Sequence, residues 1–144
     1  MEHVAIMRKS WGLTEKILTG EKNIESRWYL TRRSPWDKIR KGDVVYFKNS
    51  GELVAIKAEV KKVLQFSNLT QAKVKEILKK YGKDDGIEKE KIKEFFERFK
   101  TKRYCILVFL KNALHIKPFS INKKGFGAMN SWITVGSLAQ IKIG

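Results

Sequence analysis

Gly20-Glu21-Lys22-Asn23-Ile24-Glu25-Ser26-Arg27 is the stretch whose reading decides the fold. Ahead of it Leu13, Ile17 and Leu18 recur at helical spacing, and Gly20 stands where a left-handed residue ends a helix. Over residues 24–30 the period drops to two. Ile24, Ser26, Trp28 and Leu30 then share one face of a strand, and Glu25, Arg27 and Tyr29 share the other. Glu25 and Arg27 therefore project side by side, and Lys22, in the turn before them, has the reach to join Glu25 or an anionic ligand. One carboxylate and two cations converge. An ion-pair network holding the turn and a binding site both fit this spacing, and spacing alone does not separate them.

Outward from the motif, residues 4–7 read as a short apolar strand, expected to lie beside the motif strand, with Arg8 and Lys9 extending the basic surface. Residues 31–36 are a loop, because Pro35 pushes Ser34 out of helical geometry. Lys41-Gly42-Asp43 turns the chain into a strand at 44–48, and Asn49-Ser50-Gly51 closes a hairpin into a long strand at 53–64. In that strand Val54, Ile56, Ala58 and Val60 face inward. A half-exposed antiparallel strand of this length suits a small barrel or curled sheet.

Val74, Ile77, Leu78 and Tyr81 follow helical spacing up to Gly82, and Ile92, Phe95, Phe96 and Phe99 repeat it after Asp85 and Glu88, a pair placed like a capping box. The polar faces of these two helices mix lysine with glutamate, which fits a lid or flank on the sheet better than a recognition helix. Residues 104–110 read as a strand buried on both sides, and Lys111-Asn112-Ala113 as a turn into a second hairpin ending near Lys117. Lys123-Lys124-Gly125-Phe126-Gly127 is a basic loop whose glycines let a ligand approach the backbone, or an ordinary turn with Phe126 folded onto the core. A last strand is expected at 133–135, and a closing turn or strand at 138–143.

A chain of 144 residues suits one domain, 1–144. Its 31 basic residues against 15 acidic ones, a net charge of +16, point to a polyanionic partner, nucleic acid before a membrane surface. Part of that charge is the Lys- and Glu-rich surface that heat-stable proteins carry. The longest apolar run, 104–110, is far short of a membrane span, and the start resembles no secretory signal, so a cytoplasmic protein is expected. Cys105 lies inside that run and reads as a buried small hydrophobe. His3 and His115 with one cysteine make no metal set, so neither metal nor cofactor is expected, and His115 reads as a surface residue.

Gly20, Lys22, Glu25 and Arg27 fill the pattern G-x-K-x-x-E-x-R, and in this the chain resembles the ASCH domain (activating-signal-cointegrator homology), a branch of the PUA-like superfamily. The resemblance runs on through Pro35-Trp36 and Gly42-Asp43. It implies an α+β fold: a small, mostly antiparallel β-barrel flanked by helices, with a two-helix insertion over about 67–100, and a cleft that holds the signature residues and binds RNA. DNA is the second choice.

Under that reading Lys22 and Arg27 contact phosphate or a base edge, and Glu25 orients Arg27 or accepts from an exocyclic amine. Arg32, Arg33, Lys123 and Lys124 add basic surface, and Trp36, Phe126 and Trp132 are stacking candidates. Trp28, on the opposite strand face, is the weakest aromatic of the set. The alternative is a hydrolase acting on a modified nucleoside or on RNA, with Lys22, Glu25 and Arg27 as its catalytic groups. Some ASCH proteins are amidohydrolases for N4-acetylcytidine that pair the signature lysine with a threonine and a distant glutamate, and others are described as ribonucleases. Glu25 stands where that threonine would be, so the threonine-dependent mechanism does not carry over. A protein-interaction adaptor is a third class, resting only on the coactivator context of some ASCH members.

Overall fold

A computed structural model describes residues 1–127 and 129–143. Its elements run β1 (Glu2–Met7), α1 (Leu13–Thr19), β2 (Ile24–Tyr29), β3 (Val44–Asn49), β4 (Val54–Phe66), α2 (Gln71–Tyr81), α3 (Ile92–Phe99), β5 (Tyr104–Ile121), β6 (Trp132–Val135) and β7 (Lys142–Ile143). The strands form one curled, barrel-like sheet in the order β2-β5-β4-β3-β1-β6, with β7 on β5. Every pairing is antiparallel except β1 with β3. The architecture is α+β, as expected.

Two expectations about the sheet are corrected. β1 does not lie beside the motif strand: it pairs with β3 and β6, while β2 pairs with β5 at the far end of the sheet. A parallel partner needs a crossover of a dozen residues or more, and the segment holding α1 and β2 supplies it. The second hairpin is also absent, because β5 runs unbroken for 18 residues. Asn112 takes a left-handed φ of 55°, and opposite it the register moves from Glu59↔Lys111 to Lys57↔Leu114, one extra residue on β5. Such a residue bends a strand as a bulge; it does not reverse it.

β5 is buried on both faces where it meets β2. Ile106 and Val108 join Phe47, Ile56 and Trp132 inside the curl of the sheet, while Cys105 and Leu107 face the helices with Ile24 and Leu78. The helical side is held by Val74, Ile77 and Leu78 of α2, each worth about 1.5–3 kcal/mol of apolar transfer when fully buried. Thr70 caps α2 by accepting from the Lys73 amide. α3 starts at Ile92, and Lys91 before it provides no side-chain cap. The capping role expected of Asp85 is not found, because that carboxylate is turned inward. Among the described residues no helix is long and apolar enough to cross a membrane.

Candidate functional site

Gly20 closes α1 with a φ of 84°, and the chain turns directly into Lys22. The loop between α2 and α3 then folds over this turn. The amides of Asn23 and Ile24 donate to the Asp84 carbonyl at 2.8 and 3.0 Å, and Lys16 Nζ donates to the Gly86 carbonyl at 3.0 Å. Gly86 has a φ of +80°, and a Cβ there would stand 3.1 Å from Cβ of Lys22. Only glycine fits this crossing comfortably.

Lys22 is consequently 1% exposed. Its ammonium donates to the Ile24 carbonyl at 2.7 Å, the Asp85 carbonyl at 2.8 Å and Asp85 Oδ1 at 2.5 Å. It also pairs with Glu25 Oε1 at 3.0 Å. An ammonium has three protons, so these four acceptors leave it nothing for a phosphate. The signature lysine ties the helical segment to the sheet.

Glu25 spends its other oxygen on Arg27, whose Nε and Nη2 lie 2.9 and 2.8 Å from Oε2. Arg27 continues across a gap in the sheet. Its Nη1 donates to Ser131 Oγ at 2.9 Å, its Nη2 reaches the Ile6 carbonyl at 3.4 Å, and its guanidinium lies over the Trp132 ring at 5.1 Å. β2 and the β1–β6 pair are the two ends of the strand order, so Arg27 bridges the seam where the curled sheet does not close. On the other face of β2, Ser26 Oγ donates to Asp85 Oδ2 at 2.5 Å and accepts from Trp28 Nε1 at 3.1 Å.

A cavity of about 340 Å³ lies along this seam. Glu25, Ser26, Arg27 and Ser131 form its floor, and Trp28, Phe95 and Phe99 an aromatic wall. Trp28 and Phe99 stack with centroids 4.7 Å apart and planes 7° from parallel. Because β2 is an edge strand, residues from both its faces reach the cavity, which is how Trp28 comes to share it with Glu25 and Arg27.

Burial pushes the Glu25 carboxyl up, but Lys22 and Arg27 outweigh it and hold the group below the usual carboxylate range. Asp85 goes the other way: burial, with Glu25 close by, raises it against the pull of Lys22 and Ser26. Burial works against the charge on Lys22, yet Asp85 and Glu25 keep its pKa raised. Glu25 is thus the anion of the cluster, and Asp85 the carboxyl readier to hold a proton.

The structure brings Lys22, Glu25 and Arg27 together as the spacing foretold, though all three are engaged inside the protein. The other candidates lie elsewhere. Trp132 is 0% exposed and donates its Nε1 to Nδ1 of His3, so it is no stacking platform for a base; it backs Arg27. Trp36 packs edge-on against Tyr104, with Arg32 over both rings and Arg33 over Tyr29. Lys123, Lys124 and Phe126 do not line the cavity, and Phe126 packs on the cluster around Val4 and Phe119. Asp85, Ser131, Arg98 and Lys102 were not foreseen. An acidic Asp84-Asp85-Gly86 turn in so basic a chain was the one signal for Asp85. Among the described residues no cluster of His, Cys, Asp and Glu is placed to hold a metal ion.

No family model matches the chain, and no curated protein matches it in sequence. Solved structures do. The ASCH protein of Zymomonas mobilis superposes with a TM-score of 0.65 at 17% identity, over 93% of this chain and 87% of that one. A point-mutant form of it gives 0.68 at 16% identity, over 96% and 93%. A protein described as hypothetical gives 0.53 at 24% identity, over 81% of this chain and 100% of its own. The curled sheet and its flanking helices define a barrel-like α+β fold. Within that class, the fold is that of the ASCH domain proteins.

Proposed function

We propose that this chain is a nucleic-acid-binding module that takes one unstacked base into the seam cavity, with RNA preferred to DNA. The observation that carries the reading is the cavity itself: an anionic carboxylate on the floor, beside an aromatic wall. Its volume of about 340 Å³ sits at the low end for small-molecule sites, room for a base with its sugar and not for a duplex. Single-stranded RNA is read by splaying bases onto aromatic side chains and bonding their polar edges. Here Lys22 and Arg27 have their donors occupied, so the free recognition capacity is the one remaining lone pair of Glu25, on Oε1, and the hydroxyl of Ser131. That pattern suits an edge presenting an exocyclic amine. The RNA preference rests on the resemblance of Gly20, Lys22, Glu25 and Arg27 to the ASCH signature, while the net charge of +16 favours a nucleic acid of either kind.

Fluorescence anisotropy with labelled single-stranded and duplex RNA of equal length tests it. Single strands with C or A are expected to bind at least about tenfold tighter than duplex, or than oligo-U, whose edge carries carbonyls on both sides of its one N–H. Equal affinity for all four ligands would leave only unspecific charge attraction.

A second reading has its own observation. Glu25 and Asp85 share Lys22 at the cavity floor with their pKa values pushed in opposite directions, as in sites that divide base and acid roles between two carboxyls. This favours a hydrolase acting on a modified nucleoside or on RNA. Turnover of N4-acetylcytidine or of labelled RNA that disappears in Glu25→Gln would establish it; absence of product across pH would leave binding alone.

A further inference from the structure

The floor of the cavity holds no uncommitted cation, yet its mouth does. Arg8, just past the end of β1, places its guanidinium carbon 4.9 Å from the centre of the Trp11 ring, and Arg98 of α3 places its own 5.1 Å from the same ring. Lys102, one turn beyond α3, joins them on the cavity lining. Some surface cations nearby have acids: Lys9 pairs with Glu52, Lys16 with Glu88 and Lys100 with Glu97. Among the described residues none of Arg8, Arg98 and Lys102 pairs with an acid. Two guanidiniums gathered on one indole beside Lys102 make this part of the lining cationic, and an anion placed there would be attracted to them.

We propose that this mouth is a phosphate subsite, and that the ligand is therefore a phosphate-bearing nucleotide and not a free nucleoside. The inference rests on the base-binding reading above for what fills the cavity behind it. Trp11 holds the two forks in place through cation–π contact, and packs edge-on against Phe95 of the aromatic wall at 5.5 Å. The subsite thus continues directly into the base cavity. It also gives α3, read from sequence as a flank, a direct part in binding. The phosphate is either a terminal monoester or the diester beside the bound base, and both present oxygens that guanidiniums grip in pairs.

The test is displacement of labelled single-stranded RNA from the full chain by cytidine, cytidine 5′-monophosphate, cytidine 3′-monophosphate, the dinucleotide CpC, and inorganic phosphate. At least one phosphorylated ligand should compete about tenfold or more better than cytidine. Arg8→Gln and Arg98→Gln should each remove most of that advantage while leaving cytidine unchanged, and Lys61→Gln on the exposed side of β4 should alter nothing. For RNA, each of the two variants should make the log–log salt slope shallower by about 0.7. A preference for CpC over the monophosphates assigns the diester; the reverse assigns the terminal group. Equal competition by cytidine and every phosphorylated form, or unchanged nucleotide affinity in both variants, overturns the subsite and leaves the base cavity standing. Competition by inorganic phosphate as strong as by the nucleotides would keep the mouth and overturn the base reading. No competition by any of the five overturns both.

Discussion

Replacing Lys22 with methionine is expected to lower the melting temperature by about 6–20 °C. Methionine fills nearly the same space, so the loss is electrostatic. Removing one partner of a buried ion pair costs about 3–5 kcal/mol, because the charge left behind has neither water nor counter-ion, and a domain of this size loses about 2–4 °C per kcal/mol. Here two carboxyls are left. Glu25 keeps Arg27, but Asp85 keeps only the hydroxyl of Ser26. The double variant Lys22→Met, Asp85→Leu should recover much of the loss, since replacing a whole buried pair with apolar groups is often close to neutral. A melting temperature within 2 °C or so of wild type for Lys22→Met would mean that the four contacts to its ammonium are unimportant to stability.

The same cluster sets the pH dependence. Glu25, held below its ordinary value of 4.5, contributes stability that is present above that pH and is lost as pH falls through its folded value. Lys22, raised above 10.5, contributes stability below that pH and loses it as pH rises further. Asp85, raised above 3.8, has the opposite sign to Glu25: its contribution is present below that pH and is lost on the way up. The Glu25 contribution to wild-type stability should therefore fall on acidification below about 4.5, offset in part by Asp85, and Glu25→Gln should lose that fall. Lys22→Met, whose Asp85 has lost its cation, should instead gain relative to wild type as pH is lowered toward 5. Thermal melts across pH 3–11 read both limbs, and parallel profiles for wild type and Lys22→Met would contradict the assignment.

What could be read without coordinates was whatever local spacing controls. Gly20, Glu25 and Arg27 lie within one turn and one strand, and their relative placement follows from a left-handed residue and a period of two. The inward face of β4 and the apolar stripes of α2 and α3 were legible for the same reason. Lys22 was read as a mobile cation in a turn because nothing nearby in sequence covers it; its cover is the loop at Gly86. Asp85 and Ser131 are 63 and 104 positions from their partners Lys22 and Arg27, and no periodicity reaches that far. Asn112 misled for a chemical reason: asparagine at positive φ serves a hairpin turn and a bulge equally well, and only the unbroken pairing of β5 with β4 distinguishes them. Trp132 looked available for stacking because aromatic character is visible in sequence and burial is not.

Arg27→Met is expected to cost about 3 kcal/mol, at the low end for a broken buried pair because Glu25 retains Lys22, and to open the seam. Among the described residues the guanidinium is the one side chain that joins the Glu25 strand to both Ile6 and Ser131. Without it the β1–β6 end of the sheet is held by its own ladder, including the Ile6 amide to the Ser131 carbonyl at 2.9 Å. Hydrogen exchange should accelerate at the amides of Ile6 and Trp132, while Val45 and Ile56, deep in the sheet, keep their protection. Arg27→Lys separates charge from span: a single ammonium can neutralise Glu25 but cannot hold Ser131 and Ile6 as well. The lysine variant should thus recover a large part of the melting temperature and little of the exchange protection at the seam. If it restores both, the fork geometry is dispensable, and Arg27 serves Glu25 only as a counter-charge. If neither variant changes exchange at Ile6, the seam is held by backbone alone, and the floor of the cavity owes its shape to the strands that border it.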